Sequence, residues 1–236
     1  MMNEQSFIEY CRNSGLSLTD KELQKFVQYY EILIKYNEIT NLTSITAKEE
    51  VFLKHFYDSL TLLIYHQLSH GITLCDVGAG AGFPSIPLKI VRPDLKITII
   101  DSLGKRIDFI NYLVKMLDLK DVEAYHARAE DFAKQKRETF DVVTARAVAR
   151  LNILSELCIP LVKVNGEFIA MKGQSGFEEL QEANNAITTL GCKLATQYEF
   201  NLPEDAGKRF IFAFTKITKT PNKYPRNYGQ IKNKPL

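Results

Sequence analysis

The segment LCDVGAGAGFPSIP, at residues 74–87, joins an apolar run to one carboxylate and three glycines at alternate positions. Glycine tolerates positive φ angles and lets a ligand approach the backbone, so a glycine-rich turn after a strand is typical of nucleotide binding. The dinucleotide fingerprint is G-x-G-x-x-G, whereas Gly78, Gly80 and Gly82 form G-x-G-x-G, with Asp76 two residues before the first glycine. This difference raises the question of which cofactor the turn binds.

Polar groups also follow the next two predicted strands. Asp101 ends the second strand, 23 positions after Gly78, and its carboxylate could accept hydrogen bonds from both hydroxyls of a ribose. After the third strand, ARAED supplies the backbone amide of Ala129 and the carboxylate of Glu130, which suit an adenine with its exocyclic amine. Because the carboxyl ends of parallel strands meet at one edge, we expect these groups to share a cofactor site with Ser102.

Asp76 distinguishes between two candidate cofactors. NAD needs its pyrophosphate at a helix N-terminus, where a nearby carboxylate would repel it. S-adenosylmethionine has no phosphate and carries an amino group that an acidic residue of the first strand can help to hold. The carboxylate and the glycine spacing therefore favour S-adenosylmethionine. Two alternatives to this interpretation are an NAD-dependent oxidoreductase and a glycine turn that binds no ligand.

The surrounding pattern predicts the elements that would position these groups. Residues 1–70 have helical spacing of apolar side chains, with capping boxes at Thr19-x-x-Glu22 and Thr46-x-x-Glu49. From Ile72, short apolar runs alternate with helical stretches, but only the polar segment NLPEDAGK separates the last two. This pattern predicts an α/β fold with an N-terminal helical extension and a doubly wound, mostly parallel, seven-stranded sheet with an antiparallel edge strand. The seven runs are ITLCDVG, KITIID, VEAYHA, FDVVTAR, GEFIAMK, KLATQYEF and RFIFAFTKI.

The composition is typical of a globular protein. The chain has 236 residues, of which 45% are hydrophobic and 25% are charged. Its first residues lack the basic and apolar regions of a signal peptide, and no run approaches the ~18 apolar residues of a membrane span, so we expect a cytoplasmic protein without a membrane partner. The four cysteines are scattered, without paired spacing or nearby histidines. This predicts reduced structural thiols and no metal site.

The end of the chain carries charge of one sign. Eight cations follow Asp205 and no acidic residue does, which is a pattern that can face a polyanion or remain a solvated tail. The sequence therefore divides into an N-terminal helical cap at residues 1–70, an S-adenosylmethionine-binding domain at 71–217 and a basic C-terminal tail at 218–236. The eight cations are Lys208, Arg209, Lys216, Lys219, Lys223, Arg226, Lys232 and Lys234.

Motifs along nearly the whole chain resemble one bacterial family. The segments are YNEITNLTSIT, HFYDSL, DVGAGAGFPSIPLKI, DSLGKRIDF, ARAED, TARAVARL, AMKG and YPRNYG. They closely resemble the 16S ribosomal RNA guanine-N7 methyltransferases, also called glucose-inhibited division protein B. The glycine loop alone indicates a class I, Rossmann-like methyltransferase, whereas YNEITNLT, RAVA and YPR are more specific. Two positions depart from the family, because Ser85 replaces a usual glycine and Gln230 a common proline.

The resemblance implies transfer of a methyl group from S-adenosylmethionine to N7 of one guanine. It implies cofactor contacts at Gly78, Phe83, Ala129, Glu130 and Arg146. The implied partner is 16S rRNA or a precursor of the small ribosomal subunit, and no obligate protein partner is evident from the sequence.

The sequence agrees with direct attack by N7, which has a lone pair and no proton to remove. Positioning would then supply most of the catalysis. The chain lacks the [DNS]-P-P-[FYW] loop expected of an exocyclic-amine methylase and a nucleophilic cysteine after proline. Arg146 is the candidate catalytic residue, because its planar fork could bond guanine O6 or a phosphate, or pack on the base. The alternative is an ion pair with Glu130 or Asp101 that only shapes the pocket.

Cations near the strand ends, together with the tail, form the predicted RNA surface. For Lys105 and Arg106, a solvated helix face is an equal alternative. The basic C-terminus argues against a small-molecule methyltransferase, and the intact cofactor residues argue against a non-catalytic RNA-binding module. The predicted RNA-binding residues are Lys105, Arg106, Arg128, Arg150, Lys172, Lys219, Lys223 and Arg226.

Other polar and aromatic residues receive no catalytic role from the sequence. The four histidines show no catalytic pairing and are interpreted as structural or surface residues. Asn37, Asn41 and Thr43 form a polar patch that we place near the substrate entrance. The aromatic residues predicted to form the core of the helical cap are Tyr29, Tyr30, Phe52, Phe56 and Tyr57.

Overall fold

The computed structural model describes residues 2–236, and its first part is helical. Helices α1 and α2 are followed by a nearly continuous helical segment in which a π-helical turn separates α3 from α4. The bounds are α1 Glu4–Asn13, α2 Asp20–Thr40, α3 Lys48–Val51, the π-helical turn Phe52–Tyr57 and α4 Asp58–Tyr65. The predicted N-terminal helical extension is therefore confirmed.

One of the two predicted capping boxes is present. The Thr19 hydroxyl accepts a hydrogen bond from the Glu22 amide at 3.3 Å, and the Glu22 carboxylate accepts one from the Thr19 amide at 2.7 Å. The second prediction was wrong, because α3 has Ala47 as its N-cap, without a side-chain hydrogen bond. Thr46 lies one residue too early for its hydroxyl to cap this helix.

Within residues 2–236, seven strands form one sheet with the order β3-β2-β1-β4-β5-β7-β6. Strands β1 to β5 are parallel, with Leu74 opposite both Ile97 and Val142. Strand β7 is antiparallel to both of its neighbours. The bounds are β1 Thr73–Val77, β2 Lys96–Asp101, β3 Val122–His126, β4 Phe140–Arg146, β5 Val162–Lys172, β6 Cys192–Asn201 and β7 Lys208–Lys216.

The predicted hairpin of the last two strands is confirmed, and its antiparallel strand lies one place in from the edge. Strand β7 enters between β5 and β6, so the edge strand is β6. The burial of the two strands explains this order. The middle of β7 is buried at every position from Phe210 to Phe214, whereas most residues of β6 are exposed or half-buried. A strand without outward polar positions is more stable inside a sheet than at its edge.

Helices lie on both sides of the sheet and bury two hydrophobic clusters. One cluster joins the cap residues to one face of the sheet, and it includes Tyr29, Phe56 and Phe83. The other lies on the opposite face and includes Tyr224 and Ile231 from the tail. The remaining helices are α5 Ser85–Val91, α6 Gly104–Met116, α7 Ala129–Gln135, α8 Leu151–Cys158, α9 Gly176–Thr189 and α10 Tyr228–Asn233.

The last residues of the chain fold back onto the sheet. The Arg137 guanidinium donates hydrogen bonds to the carbonyls of Thr220 and Tyr224. Arg226 forms an ion pair at 2.6 Å with Glu156, whose side chain is fully buried. The segment 218–236 is therefore attached to the loop before β4, through Arg137, and to α8, through Glu156, and α10 begins just beyond this attachment.

The cysteines and the cap aromatics have the predicted environments. All four cysteines are free and buried. Tyr29, Phe52, Phe56 and Tyr57 are buried in the cap core, and Tyr30 packs against it half-buried. Between residues 2 and 236, no helix is long and apolar enough to cross a membrane, and no group of three metal-binding side chains occurs.

Candidate active site

A cleft of about 520 Å³ opens at the carboxyl ends of β1, β2, β3 and β4. This edge of a doubly wound sheet is where such folds bind their ligands. Most of the predicted cofactor residues lie here, including Gly78, Gly80, Phe83, Asp101, Ser102, Ala129, Glu130 and Arg146. The cleft thus brings together residues from four separate strand ends.

The backbone conformation of the glycine turn suits glycine and leaves little room for a side chain at Gly78. Gly78 has a φ of +75°, and a Cβ there would lie 2.8 Å from the side chain of Val148. Gly80 has a φ of +60° and faces open space in the cleft. The backbone of the turn therefore forms part of the cleft wall, as a closely approaching ligand requires.

Asp101 holds the turn in place. Its side chain is 2% exposed, and its carboxylate accepts hydrogen bonds from the backbone amides of Gly80 at 3.1 Å and Leu103 at 2.9 Å. The same carboxylate forms an ion pair at 3.1 Å with Arg106, which also lines the cleft. Asp101 therefore links the first and second strand ends, and its Oδ1 atom keeps one lone pair for a ligand beside the bond from Leu103.

Asp76 and Gly82 do not line the cleft, although the sequence predicted both as cofactor residues. Asp76 is fully buried behind the turn, where Oδ2 accepts a hydrogen bond from the Ser85 amide at 3.1 Å. Its other oxygen, Oδ1, has no hydrogen-bond partner within residues 2–236. Burial raises the pKa of Asp76 to about 7, although Ser85 and Arg146 lower it in part. An uncharged carboxyl is therefore a large fraction of the population near neutral pH.

Phe83 lies at the centre of a stack of rings beside the cleft. The His55 ring lies parallel to it with centroids 4.4 Å apart, and the Tyr29 ring packs at 5.4 Å. The guanidinium of Arg146 lies 5.2 Å from the Phe83 centroid, within the range of a cation–π contact. The stack connects the helical cap to the wall of the cleft.

Arg146 has an ion-pair partner that the sequence did not suggest. The alternatives were Glu130 and Asp101, but the structure pairs Arg146 with Asp58 of α4 at 3.1 Å. Its NH1 group also lies 3.3 Å from the Lys54 carbonyl. Both side chains are largely buried, so the guanidinium is held in a fixed position at the wall of the cleft.

His55 is a cleft residue that sequence reasoning missed. Its Nε2 atom lies 3.0 Å from the Thr43 hydroxyl, and both residues line the cleft. Burial lowers the pKa of His55 to about 3, with a further contribution from the Arg146 charge. A neutral imidazole therefore faces the site at physiological pH. The motif HFYDSL contains this histidine, but its partners are distant in the sequence.

The polar patch before the sheet has a local structural role. The side-chain oxygen of Asn37 accepts hydrogen bonds from the amides of Leu42 and Thr43, at 2.6 and 2.9 Å. Asn41 is the left-handed C-cap of α2. The patch therefore shapes the loop that carries Thr43 to the cleft.

The predicted RNA-binding cations of the sheet have different environments. Lys105 donates a hydrogen bond to the Thr40 carbonyl at 2.6 Å, and Arg150 forms an exposed ion pair with Glu182. Arg128 lines the cleft with its guanidinium 6.0 Å from the ring centroid of Tyr228. The structure does not bring Lys172 to the surface, because its ammonium is buried against Glu179 at 2.6 Å. Lys172 therefore does not belong to the exposed part of the predicted RNA surface.

The cations of the C-terminal region also separate into two groups. Lys208, Arg209, Lys216 and Arg226 form ion pairs with acidic side chains, and Lys216 is completely buried. Lys219, Lys223, Lys232 and Lys234 are exposed and form no ion pair with the described part of the chain. Arg226 therefore differs from the other two predicted tail contacts, Lys219 and Lys223, because it is an anchor of the tail.

The hydrogen-bond acceptors in and behind the cleft fit a ligand that combines adenosine with a positive charge. A buried carboxylate at Asp101 can accept from ribose hydroxyls, and Glu130 provides a second carboxylate near the β3 end. Oδ1 of Asp76 is an unsatisfied buried acceptor behind the turn, which suits a nearby positive charge.

Comparison with known proteins identifies close relatives. The family model described as rRNA small subunit methyltransferase G (GidB) matches residues 22–205. The chain is 52% identical over 237 residues to the ribosomal RNA small subunit methyltransferase G of Lysinibacillus sphaericus, with 100% of each chain covered. It is 55% identical over 223 residues to the protein of the same name from Staphylococcus haemolyticus, covering 94% of this chain and 93% of that protein.

Solved structures share the fold at low sequence identity. One is a SAM-dependent methyltransferase from Aquifex aeolicus, with a TM-score of 0.54 and 19% identity. The match covers 74% of this chain and 97% of that one. The α/β sheet with helices on both sides is thus the fold of class I methyltransferases.

Proposed function

Because the chain belongs to the rRNA small subunit methyltransferase G family, we propose that it transfers a methyl group from S-adenosylmethionine to N7 of one guanine in 16S rRNA. The chain is an S-adenosylmethionine-dependent rRNA methyltransferase. The observation that carries this conclusion is a full-length family relationship combined with a cleft at the carboxyl edge of the sheet. The NAD alternative lacks support, since the glycine spacing is not the dinucleotide fingerprint and the family relationship is to methyltransferases.

We propose individual roles for the residues of the cleft. Asp101 would accept the ribose hydroxyls, while Ala129 and Glu130 would contact the adenine. The backbone of Gly78 and Gly80 would lie against the ligand, since a Cβ at Gly78 has no room and Gly80 faces open space. Further contacts are proposed for Phe83, Ser102 and Arg146, and Asp76 and Gly82 would act from behind the turn.

The chemistry needs positioning more than proton transfer. S-adenosylmethionine supplies an electrophilic methyl group, and guanine N7 supplies an in-plane lone pair. His55 stays neutral because burial lowers its pKa to about 3, so it cannot act as a cationic acid near pH 7. Arg146 is held by Asp58 and can orient the accepting base without a change in charge. Fixed groups of this kind reduce the entropic part of the barrier.

We also propose a role for each of the three segments of the chain. Residues 71–217 would carry the cofactor, residues 1–70 would support the cleft as a cap, and residues 218–236 would contact RNA. The substrate is ribosomal RNA. Its form would be 16S rRNA or a small-subunit precursor in the cytoplasm, met without an obligate protein partner.

Mapping of 7-methylguanine tests the proposed function. We expect the modification at one position of 16S rRNA from cells with the gene and none there in cells without it. Restoration by the gene, but not by a variant with Asp101→Ala, would tie the modification to the cleft. Unchanged 7-methylguanine without the gene would refute the proposal. Calorimetry should show binding of S-adenosylmethionine and no heat from NAD.

A further inference from the structure

A second cavity of about 320 Å³ adjoins the cofactor cleft. It lies where β4 and β5 end and β7 begins, at the same edge of the sheet. The two cavities meet at His55, Arg146 and Ala147, which line both of them. The methyl group must pass directly from the cofactor to its acceptor, and the second cavity is the neighbouring space at this junction.

The second cavity combines apolar walls with one carboxylate and four cations, which are Lys54, Arg146, Lys172 and Arg209. Met171, Phe200, Phe210 and Ile211 provide the apolar surface, and Asp58 provides the carboxylate. Such a combination is typical of pockets that take a flat base out of a stack and read its edge by hydrogen bonds. The volume is at the lower end of the range for small-ligand pockets, as a single base requires.

Asp58 is oriented by two arginines, one on each oxygen. Arg146 donates to Oδ2 and Arg209 donates to Oδ1, both at 3.1 Å. The Asp58 side chain is 8% exposed, so water competes little for it. Each carboxylate oxygen has two lone pairs, and one on each remains for a further donor.

We propose that this cavity receives the target guanine and that Asp58 accepts hydrogen bonds from its N1–H and 2-amino groups. This inference rests on the proposed function and names the pocket and the residue that select the base. Guanine has two adjacent donors on its Watson–Crick edge, which match the two oxygens of a carboxylate. Adenine presents an acceptor at N1, which a carboxylate would repel.

The alternative role for Asp58 is positioning of Arg146 and Arg209 alone. The two roles differ in their response to inosine, which keeps N7, O6 and N1–H of guanine and lacks only the 2-amino group. A carboxylate that contacts the base would sense this loss, because one of its two hydrogen bonds to the base would be missing. A carboxylate that only holds the arginines would not.

The test compares small subunits that contain either guanosine or inosine at the methylated position. For the wild-type protein, we expect kcat/KM to be roughly tenfold or more lower with inosine. For Asp58→Asn and Asp58→Ala, we expect slow methylation of both substrates, with a guanosine-to-inosine ratio close to one. A wild-type ratio of one, or a large ratio retained in both variants, would overturn the inference. Failure of the wild type on guanosine would refute the proposed function itself.

A substitution that fills the cavity tests its location separately. Gly173 lines the cavity, has no left-handed φ and would carry a Cβ with no heavy atom within 4 Å. We expect Gly173→Leu to reduce methylation by ~100-fold at unchanged affinity for S-adenosylmethionine, because only the base would be displaced. Wild-type methylation rates in a folded Gly173→Leu protein would contradict the assignment of this cavity.

Discussion

Two buried ionisable side chains near the glycine turn have pKa values shifted in opposite directions. Burial raises the pKa of Asp76 to about 7 and lowers that of His55 to about 3. In both cases the uncharged form is favoured. The region next to the cleft is therefore less charged than its residue types suggest, and a cationic ligand would change this most at Asp76.

We expect the affinity for S-adenosylmethionine to rise about tenfold between pH 6 and pH 8. Below pH 7 the Asp76 carboxyl of the free protein is mostly protonated, and the bound cation favours the ionised form. Binding at pH 6 must therefore first remove a proton, whereas binding at pH 8 need not. Calorimetric titrations across this range would measure the change in Kd.

The control is Asp76→Asn, in which the titrating group is absent and its shape is kept. This variant should bind the cofactor with little dependence on pH over the same range. A wild-type affinity that is also constant would mean that cofactor binding does not change the pKa of Asp76.

The chemical step should have a different pH dependence from cofactor binding. With cofactor and RNA both saturating, we expect single-turnover rates to be constant from pH 6 to pH 9. Guanine N7 has no proton to lose, and His55 with a pKa of about 3 does not titrate there. A log-linear rise of the rate would reveal an enzyme base.

The parts of the site that are local in sequence could be predicted. The glycine turn and the acidic residues at strand ends follow from spacing within each motif. The ion pair between Arg146 and Asp58 joins positions 88 residues apart, so no local sequence pattern predicts it. Asp76 was correctly placed at the strand end, but burial behind the turn depends on packing of α5 that spacing does not show.

At the scale of elements, the cations of the C-terminal segment 218–236 are of two kinds, those that anchor the segment and those that are exposed to solvent. Arg226 anchors the segment through buried Glu156, whereas Lys219 and Lys223 are exposed. Removing Arg226 would leave a buried charge without its partner, at a cost of about 3–5 kcal/mol. A test of RNA binding must therefore leave this residue intact.

We expect Lys219→Gln with Lys223→Gln to weaken RNA binding without regard to sequence. The slope of log K against log salt should fall by up to about 2, because each lost phosphate contact releases one counterion fewer. Affinity for S-adenosylmethionine should not change. Filter binding at several salt concentrations measures the slope.

A matched pair serves as the control for this prediction. Lys96 and Lys120 are exposed, and they lie near the amino ends of β2 and β3, at the edge opposite the cleft. Their double change to glutamine should leave the slope as in the wild type. Equal slopes for both double variants and the wild type would show that Lys219 and Lys223 do not contact phosphate.

The elements themselves differed in how well they could be predicted. Every strand was found from its apolar run, because short runs between helical stretches have few alternative structures. The π-helical turn at Phe52–Tyr57 was not predicted, since the same apolar spacing suits an ordinary helix. The position of β7 inside the sheet depends on its burial on both faces, which only the assembled fold defines.

At the scale of the whole molecule, the cap and the sheet share one hydrophobic cluster. Tyr29 connects them directly, because its hydroxyl donates a hydrogen bond at 2.5 Å to the carbonyl of Ala81 in the glycine turn. Both groups are buried. The cap is therefore part of the support of the cofactor cleft.

We expect Tyr29→Phe to lower the free energy of unfolding by ~1–3 kcal/mol, because the Ala81 carbonyl would lose its partner. Affinity for S-adenosylmethionine should fall as well. Tyr30→Phe is the matched control, since the Tyr30 hydroxyl bonds the Thr46 carbonyl at 3.2 Å in an exposed position. Urea unfolding followed by circular dichroism compares the two, and equal losses would argue against a special role for Tyr29.

The position of Tyr228 makes the protein suitable for optical work. The chain has no tryptophan, and Tyr228 lines the cofactor cleft from the C-terminal helix with 37% of its surface exposed. A Tyr228→Trp variant would therefore carry a single indole fluorophore at the rim of the cleft. Its emission would report the filling and emptying of that cleft in real time, without a label and without radioactive cofactor.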